Sequence, residues 1–102
     1  MKTLNYSFAA ERAVHRPAHI GVVASGDLEI LVDDKADAGV AQVRVRTSVD
    51  GFDTVWENVL RRFFVQQRLG GRWHINDFGA TPGVVTLRLQ QAAQLAMTGD
   101  GR

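Results

Sequence analysis

The 102-residue sequence contains no cysteine. That absence removes disulfide scaffolds, thiolate zinc sites, iron–sulfur ligation, redox pairs and cysteine nucleophiles from the chain's own chemistry. Any sulfur chemistry needs a thiol supplied from outside. An excess of one charge is also missing: 12 Lys plus Arg stand against 11 Asp plus Glu, a formal net charge of +1. The pI of 8.3 gives no clustered basic face of the kind that neutralises nucleic-acid phosphates. No run approaches the roughly 20 apolar residues of a membrane span. Met1 to Tyr6 shows no apolar core like that of a secretory signal. The expectation is a soluble cytoplasmic protein with no nucleic-acid partner and no direct membrane insertion.

What is present fits one globular domain over residues 1–102. Apolar residues make up 45% of the chain and charged ones 23%, enough for a core and too apolar for disorder. Leu4, Tyr6 and Phe8 alternate with Thr3, Asn5 and Ser7, as in a half-buried strand. Ala9 to Ala18 reads as a loop. The apolar run from His19 to Ala24 and the run from Leu28 to Val32 flank Ser25-Gly26-Asp27, which predicts a tight hairpin. Asp33 to Gly39 is a second turn. From Val40 to Thr47, Val43 and Val45 alternate with Gln42, Arg44 and Arg46, giving one dry and one wet face.

The period changes after Gly51. Phe52, Val55, Trp56, Val59, Leu60, Phe63 and Phe64 recur at helical spacing, with Glu57, Asn58, Arg61 and Arg62 opposite. Asp50 or Asp53 is expected to cap this helix, and Gly70-Gly71 to end it. Trp73 to Phe78 predicts a short strand. Thr81 is a good N-cap and Pro82 suits the first position of a second helix over 83–97, with Val85, Leu89, Ala92 and Ala96 on one face. The β-branched Val84-Val85-Thr86 leaves a strand there open. The fold class is α+β: three to five mostly antiparallel strands with two helices packed on one face.

Few residues carry chemistry. His15, His19 and His74 lack metal-ligand spacing. Asp77-Phe78-Gly79 matches the magnesium-binding tripeptide of kinases, but no glycine-rich loop, strand lysine or catalytic loop accompanies it. Arg44 and Arg46 leave one strand on one side and are candidate contacts for phosphate or for a partner. Arg61, Arg62 and Arg68 are expected on the exposed helix face. The three serines are Ser7, Ser25 and Ser48. Ser25 stands at the hairpin tip, with Gly26 and Asp27 completing the turn. No G-x-S-x-G elbow or positioned base makes it a nucleophile. A plain turn serine and a modification site both remain open.

Three blocks carry a resemblance to a known family. They are Gly21-Val22-Val23-Ala24-Ser25-Gly26-Asp27-Leu28-Glu29, then Thr47 to Phe52 with Trp56, then Asp77-Phe78-Gly79-Ala80-Thr81-Pro82-Gly83-Val84-Val85 with Leu87-Arg88-Leu89. Together they resemble the malonate decarboxylase acyl carrier proteins, or delta subunits, over nearly the whole chain. A looser similarity reaches the citrate lyase acyl carrier subunit. The chain departs from the pattern at Ala9 to Pro17, Gln66 to Arg72 and Thr98 to Arg102.

The resemblance implies a non-catalytic carrier. It implies a 2′-(5″-phosphoribosyl)-3′-dephospho-coenzyme A group, bound through a phosphodiester to the matching serine, Ser25. It also implies a prosthetic-group transferase, and transferase and decarboxylase subunits that use acetyl and malonyl thioesters on the group. The alternative from another class is a small α+β interaction module with no prosthetic group. Either way the chain differs from the acidic helical bundles of common acyl carriers.

Overall fold

The computed structural model describes residues 1–98. The tail beyond Thr98, one of the places where the resemblance lapses, lies outside the described residues. The elements run β1 (Lys2–Ala9), β2 (Ala18–Gly21), β3 (Leu28–Asp33), β4 (Val40–Thr47), α1 (Asp53–Gln67), β5 (Gly71–Asp77) and α2 (Pro82–Met97). The five strands form one sheet in the order β1-β4-β5-β3-β2. Three of its four pairings are antiparallel; β4 and β5 are parallel and are joined through α1.

Period-two alternation decides which side of the sheet is dry. Leu28, Ile30, Val32, Ala41, Val43, Val45, Trp73 and Ile75 are buried on the face that both helices cover. Trp56, Leu60, Phe63 and Phe64 of α1 meet Val85, Leu89, Ala92, Ala93 and Ala96 of α2 in the same core. Phe64 stacks on Phe8 at 5.2 Å and meets the Trp73 ring edge-on at 5.0 Å. Such pairs add about 0.5–1.5 kcal/mol each beyond area burial. The opposite sheet face is bare. It carries Thr3, Asn5 and Ser7, then Gln42, Arg44 and Arg46, then Arg72, His74 and Asn76, then Glu29, Leu31 and Asp33.

The helix ends differ from the sequence expectation. Neither Asp50 nor Asp53 caps α1; Phe52 occupies the cap position with no side-chain bond. Asp53 lies inside the first turn and binds Lys2 Nζ at 3.0 Å instead. It still favours the helix by meeting the positive end of the macrodipole. Gly70-Gly71 does not end α1 either. Arg68 takes the left-handed conformation, φ 55°, and its N–H bonds to the Phe64 carbonyl at 2.9 Å. Gly71 opens β5 instead: at φ +100°, a Cβ there would lie 2.9 Å from the Asp33 carbonyl oxygen. Phe52 and Val55 are exposed, so the apolar stripe of α1 is narrower than predicted. Arg68 therefore sits at a cap, not on the helix face, while Arg61 pairs with Glu57 at 2.6 Å. At Val84-Val85-Thr86 the chain is helical, started by the Thr81 hydroxyl accepting from Val84 N–H at 3.3 Å.

Candidate functional site

Because β4 and β5 are parallel, both finish at the same end of the sheet, and α1 and α2 both begin there. In open sheets with parallel strands, functional groups gather beyond such carboxyl ends. The β2–β3 connection closes at this end as well. It is wider than the tight hairpin expected: β2 stops at Gly21, and residues 22–27 form the loop. Gly21 causes the departure. It has φ +85°, and a Cβ there would lie 2.1 Å from the Leu28 carbonyl oxygen. The two backbones touch at Gly21 and then separate, which leaves Val22 and Val23 exposed rather than paired.

Ser25 is exposed at the tip of this loop. Asp27 N–H bonds back to the Ala24 carbonyl at 3.0 Å, so Ala24 to Asp27 form one closed turn. Ser25 is its second residue. Gly26, the third, has φ +78°, the value a type II turn requires there. A Cβ on Gly26 would meet nothing within 4 Å, so the space beside Ser25 is open.

The turn is tied down on its inner side. Gly26 N–H bonds to the Phe78 carbonyl at 2.8 Å, and Phe78 N–H to the Asp27 carbonyl at 3.0 Å. These bonds prolong the β3–β5 ladder past Leu28–Asp77. The Asp27 carboxylate accepts from Leu28 N–H at 2.7 Å and from Arg88 Nε and Nη2 at 3.2 and 2.9 Å. Arg88 is braced in turn by Gln91 at 3.0 Å. The Arg88 hydrogen bonds, then that of Leu28, hold the Asp27 carboxyl below the usual carboxylate range.

The neighbouring loop after β5 is pinned by Asp77. Its side chain accepts from Thr47 Oγ1 at 2.8 Å and from Ala80 N–H at 3.0 Å. Thr47 and Asp77 are buried, and Thr47 Oγ1 also accepts from Val49 N–H at 3.0 Å. The Asp of the kinase-like tripeptide is thus a local anchor for two loops.

The other candidates separate in space. Ser7 lies on β1, and Ser48 follows β4, where its N–H bonds to the Asp77 carbonyl at 3.3 Å. His15 is in the loop before β2, His19 binds Glu29 at 3.0 Å, and His74 is on β5 beside Arg44. Arg44 and Arg46 are exposed on the bare face, away from the helices. Two features escaped sequence reasoning. Arg88 was visible as part of the last block but not as the partner of Asp27, 61 residues away. A groove of about 260 Å³ between the first turns of α1 and α2, lined by Phe52, Val55, Trp56, Pro82 and Val85, depends on helix placement that no local pattern gives.

The Asp27–Arg88 pair sets a pH dependence. Its depressed folded pKa makes a stabilising contribution that is present above the ordinary aspartate value of 3.8 and is lost as pH falls through the folded value. Arg88→Ala moves the Asp27 titration, followed by carboxyl NMR, back up toward 3.8 and removes the loss of stability that follows acidification below that value. An unmoved Asp27 titration contradicts the pairing.

A five-stranded α+β sheet with both helices on one side, and an exposed serine turn at the end where the helices start, defines a class apart from helical-bundle carriers. The family model for the malonate decarboxylase delta subunit (MdcD) matches residues 15–96. A malonate decarboxylase acyl carrier protein from Stenotrophomonas maltophilia (strain K279a) is 43% identical, with 100% of both chains covered. One from Burkholderia cepacia is 45% identical, covering 91% of this chain and 88% of that protein. The fold overlays a chain in the crystal structure of a Pseudomonas malonate decarboxylase hetero-tetramer in complex with malonate, with a TM-score of 0.88 and 39% identity. That match covers 94% of this chain and 99% of the other. The chain belongs to the malonate decarboxylase acyl carrier (delta subunit) family.

Proposed function

We propose that this chain is the carrier subunit of a cytoplasmic malonate decarboxylase and that Ser25 Oγ holds its prosthetic group. The observation that carries the reading is Ser25 itself, an exposed hydroxyl on a turn fixed from behind by Gly26, Asp27 and Arg88. The group implied by the family is 2′-(5″-phosphoribosyl)-3′-dephospho-coenzyme A, joined through a phosphodiester. The open space beside Gly26 fits that group, because both the phosphodiester and the enzyme that forms it need access to the backbone here. When attached, the group supplies a terminal thiol that carries acetyl and malonyl as thioesters.

The chain's own part is mechanical. The turn must resist displacement while the arm is pulled toward different active sites, and the bonds to Phe78 and Arg88 supply that resistance. Tethering replaces repeated capture from solution by a high local concentration at transferase and decarboxylase subunits. The carboxylate two residues on, Asp27, is committed to Arg88 and the Leu28 amide and is not available as a base for Ser25. The decarboxylation chemistry falls to the partner subunits.

Reconstitution tests the reading. Chain isolated with its modifying enzymes restores carbon dioxide release from malonate to a complex lacking only this subunit, and unmodified chain does not. Equal activity with the unmodified chain favours an interaction module without a prosthetic group.

A further inference from the structure

The bare sheet face holds an arrangement that the serine turn does not use. Three cross-strand rows run over it. One joins Asn5, Arg44, His74, Leu31 and His19; the next joins Thr3, Arg46, Asn76, Glu29 and Gly21; the third joins Ser7, Gln42, Arg72 and Asp33. The half of the face made by β1, β4 and β5 has three arginines and no carboxylate. The acids of the face stand on β3, and each already has partners. Glu29 binds His19 and Asn76, and Asp33 binds Arg72 with two bonds of 2.9 and 3.0 Å. Arg44 and Arg46 have no ion-pair partner among the described residues.

These two arginines are two residues apart on one strand, so their stems rise roughly 7 Å apart. Between and beside them lie shallow cavities of about 290 and 410 Å³, both lined by Arg44 and His74; the smaller one also holds Arg46 and the Asp33 carboxylate, which Arg72 neutralises with its two bonds. Leu31 places an exposed apolar side chain in the same row as Arg44. Paired cations able to bind phosphate oxygens, an imidazole and a small apolar platform suit an adenine nucleotide diphosphate better than a bare anion.

The placement relative to Ser25 gives the occupant. The Arg46 row ends at Glu29 and Gly21, the last β2–β3 pair before the Ser25 loop. Arg46 is two strands from β3, roughly 10 Å. A ribosyl nucleotide is longer than that interstrand spacing, and the loop that would hold it begins at the end of this row.

We propose that the open face around Arg44 and Arg46 is the resting site of the arm's anionic end, and that it takes an adenine nucleoside diphosphate ester. This rests on the carrier reading above and adds a second function to the platform. It holds the nucleotide half against the sheet while the pantetheine half, beyond the diphosphate, stays free to reach partners.

The test uses the unmodified Ser25→Ala chain and free 3′-dephospho-coenzyme A at low salt, followed by NMR. The expected result is a saturable shift of Arg44, Arg46, His74 and Leu31 signals. The Arg44→Gln/Arg46→Gln double variant, which changes two exposed side chains, weakens binding by about tenfold or more. Inorganic pyrophosphate moves the arginine and His74 signals but not those of Leu31.

His74 supplies an independent readout. Burial, Arg44 of β4 and Arg72 of its own strand lower its pKa, opposed by Asp33 of β3. A bound diphosphate raises it, and the double variant abolishes that ligand-induced rise.

Shifts confined to the groove near Phe52 and Pro82, or equal affinity in the double variant, overturn the proposal. So does a double variant that loses only partner-subunit binding, which assigns the face to protein docking. Because the probe is free and Ser25 is absent, failure here leaves the attachment assignment standing. Failure of Ser25 to be loaded likewise leaves a positive titration standing.

Discussion

Ser25→Ala is expected to abolish prosthetic-group loading and, with it, all malonate-dependent carbon dioxide release by the reconstituted complex. The fold should not notice the change. Ser25 is exposed, sits at the second position of its turn and has no side-chain hydrogen bond among the described residues. Surface substitutions of this kind cost at most about 0.5 kcal/mol. The informative result is therefore the combination: unchanged thermal unfolding, unchanged association with the other subunits, and no activity. Residual activity above background contradicts the assignment of the arm to Ser25.

Gly21→Ala is expected to have the largest effect on the fold for its size. At φ +85° an alanine bears the left-handed penalty of about 1–2 kcal/mol. Its Cβ would also lie 2.1 Å from the Leu28 carbonyl oxygen. That neighbour is backbone, so relief requires β2 and β3 to separate at the base of the Ser25 loop. A total cost of about 3 kcal/mol or more follows. For a domain of this size that lowers the melting temperature by roughly 12 °C or more. Gly26→Ala is the internal control: its φ is +78° but a Cβ there meets nothing within 4 Å, so about 1 kcal/mol is expected. Denaturant unfolding of both variants checks this. Equal costs would mean that the close approach at Gly21 is not what shapes the loop.

Much of this architecture was legible in the sequence because the relevant signals are local. Alternation placed Leu4, Val43 and Val45 on the covered face and Arg44 and Arg46 on the bare one. Helical spacing found Trp56, Leu60, Phe63 and Phe64, and Thr81-Pro82 marked the start of α2. What was missed depends on partners distant in sequence. Val22 and Val23 read as strand because nothing local reports that Gly21 meets Leu28. Asp53 was expected as a cap, yet Lys2, 51 residues earlier, holds it. The parallel pairing of β4 with β5 follows from the intervening helix, whereas the residue pattern of β4 fits either direction.

The candidate site was legible in a different way. Ser25, Gly26 and Asp27 were picked out by turn chemistry and by the family resemblance. The support behind them, Phe78 and Arg88, became visible only when the chain was folded. Asp27 was read as a turn residue; it is also the link that ties the turn to α2.

The central claim is the attachment at Ser25, and site-resolved mass measurement tests it most directly. The chain is isolated with its modifying enzymes present, weighed intact, then fragmented to locate any adduct. The account predicts one phosphodiester-linked dephospho-coenzyme A derivative on the fragment containing Ser25, absent from Ser25→Ala. An adduct on Ser7 or Ser48, or a chain of unmodified mass from an active complex, would contradict it.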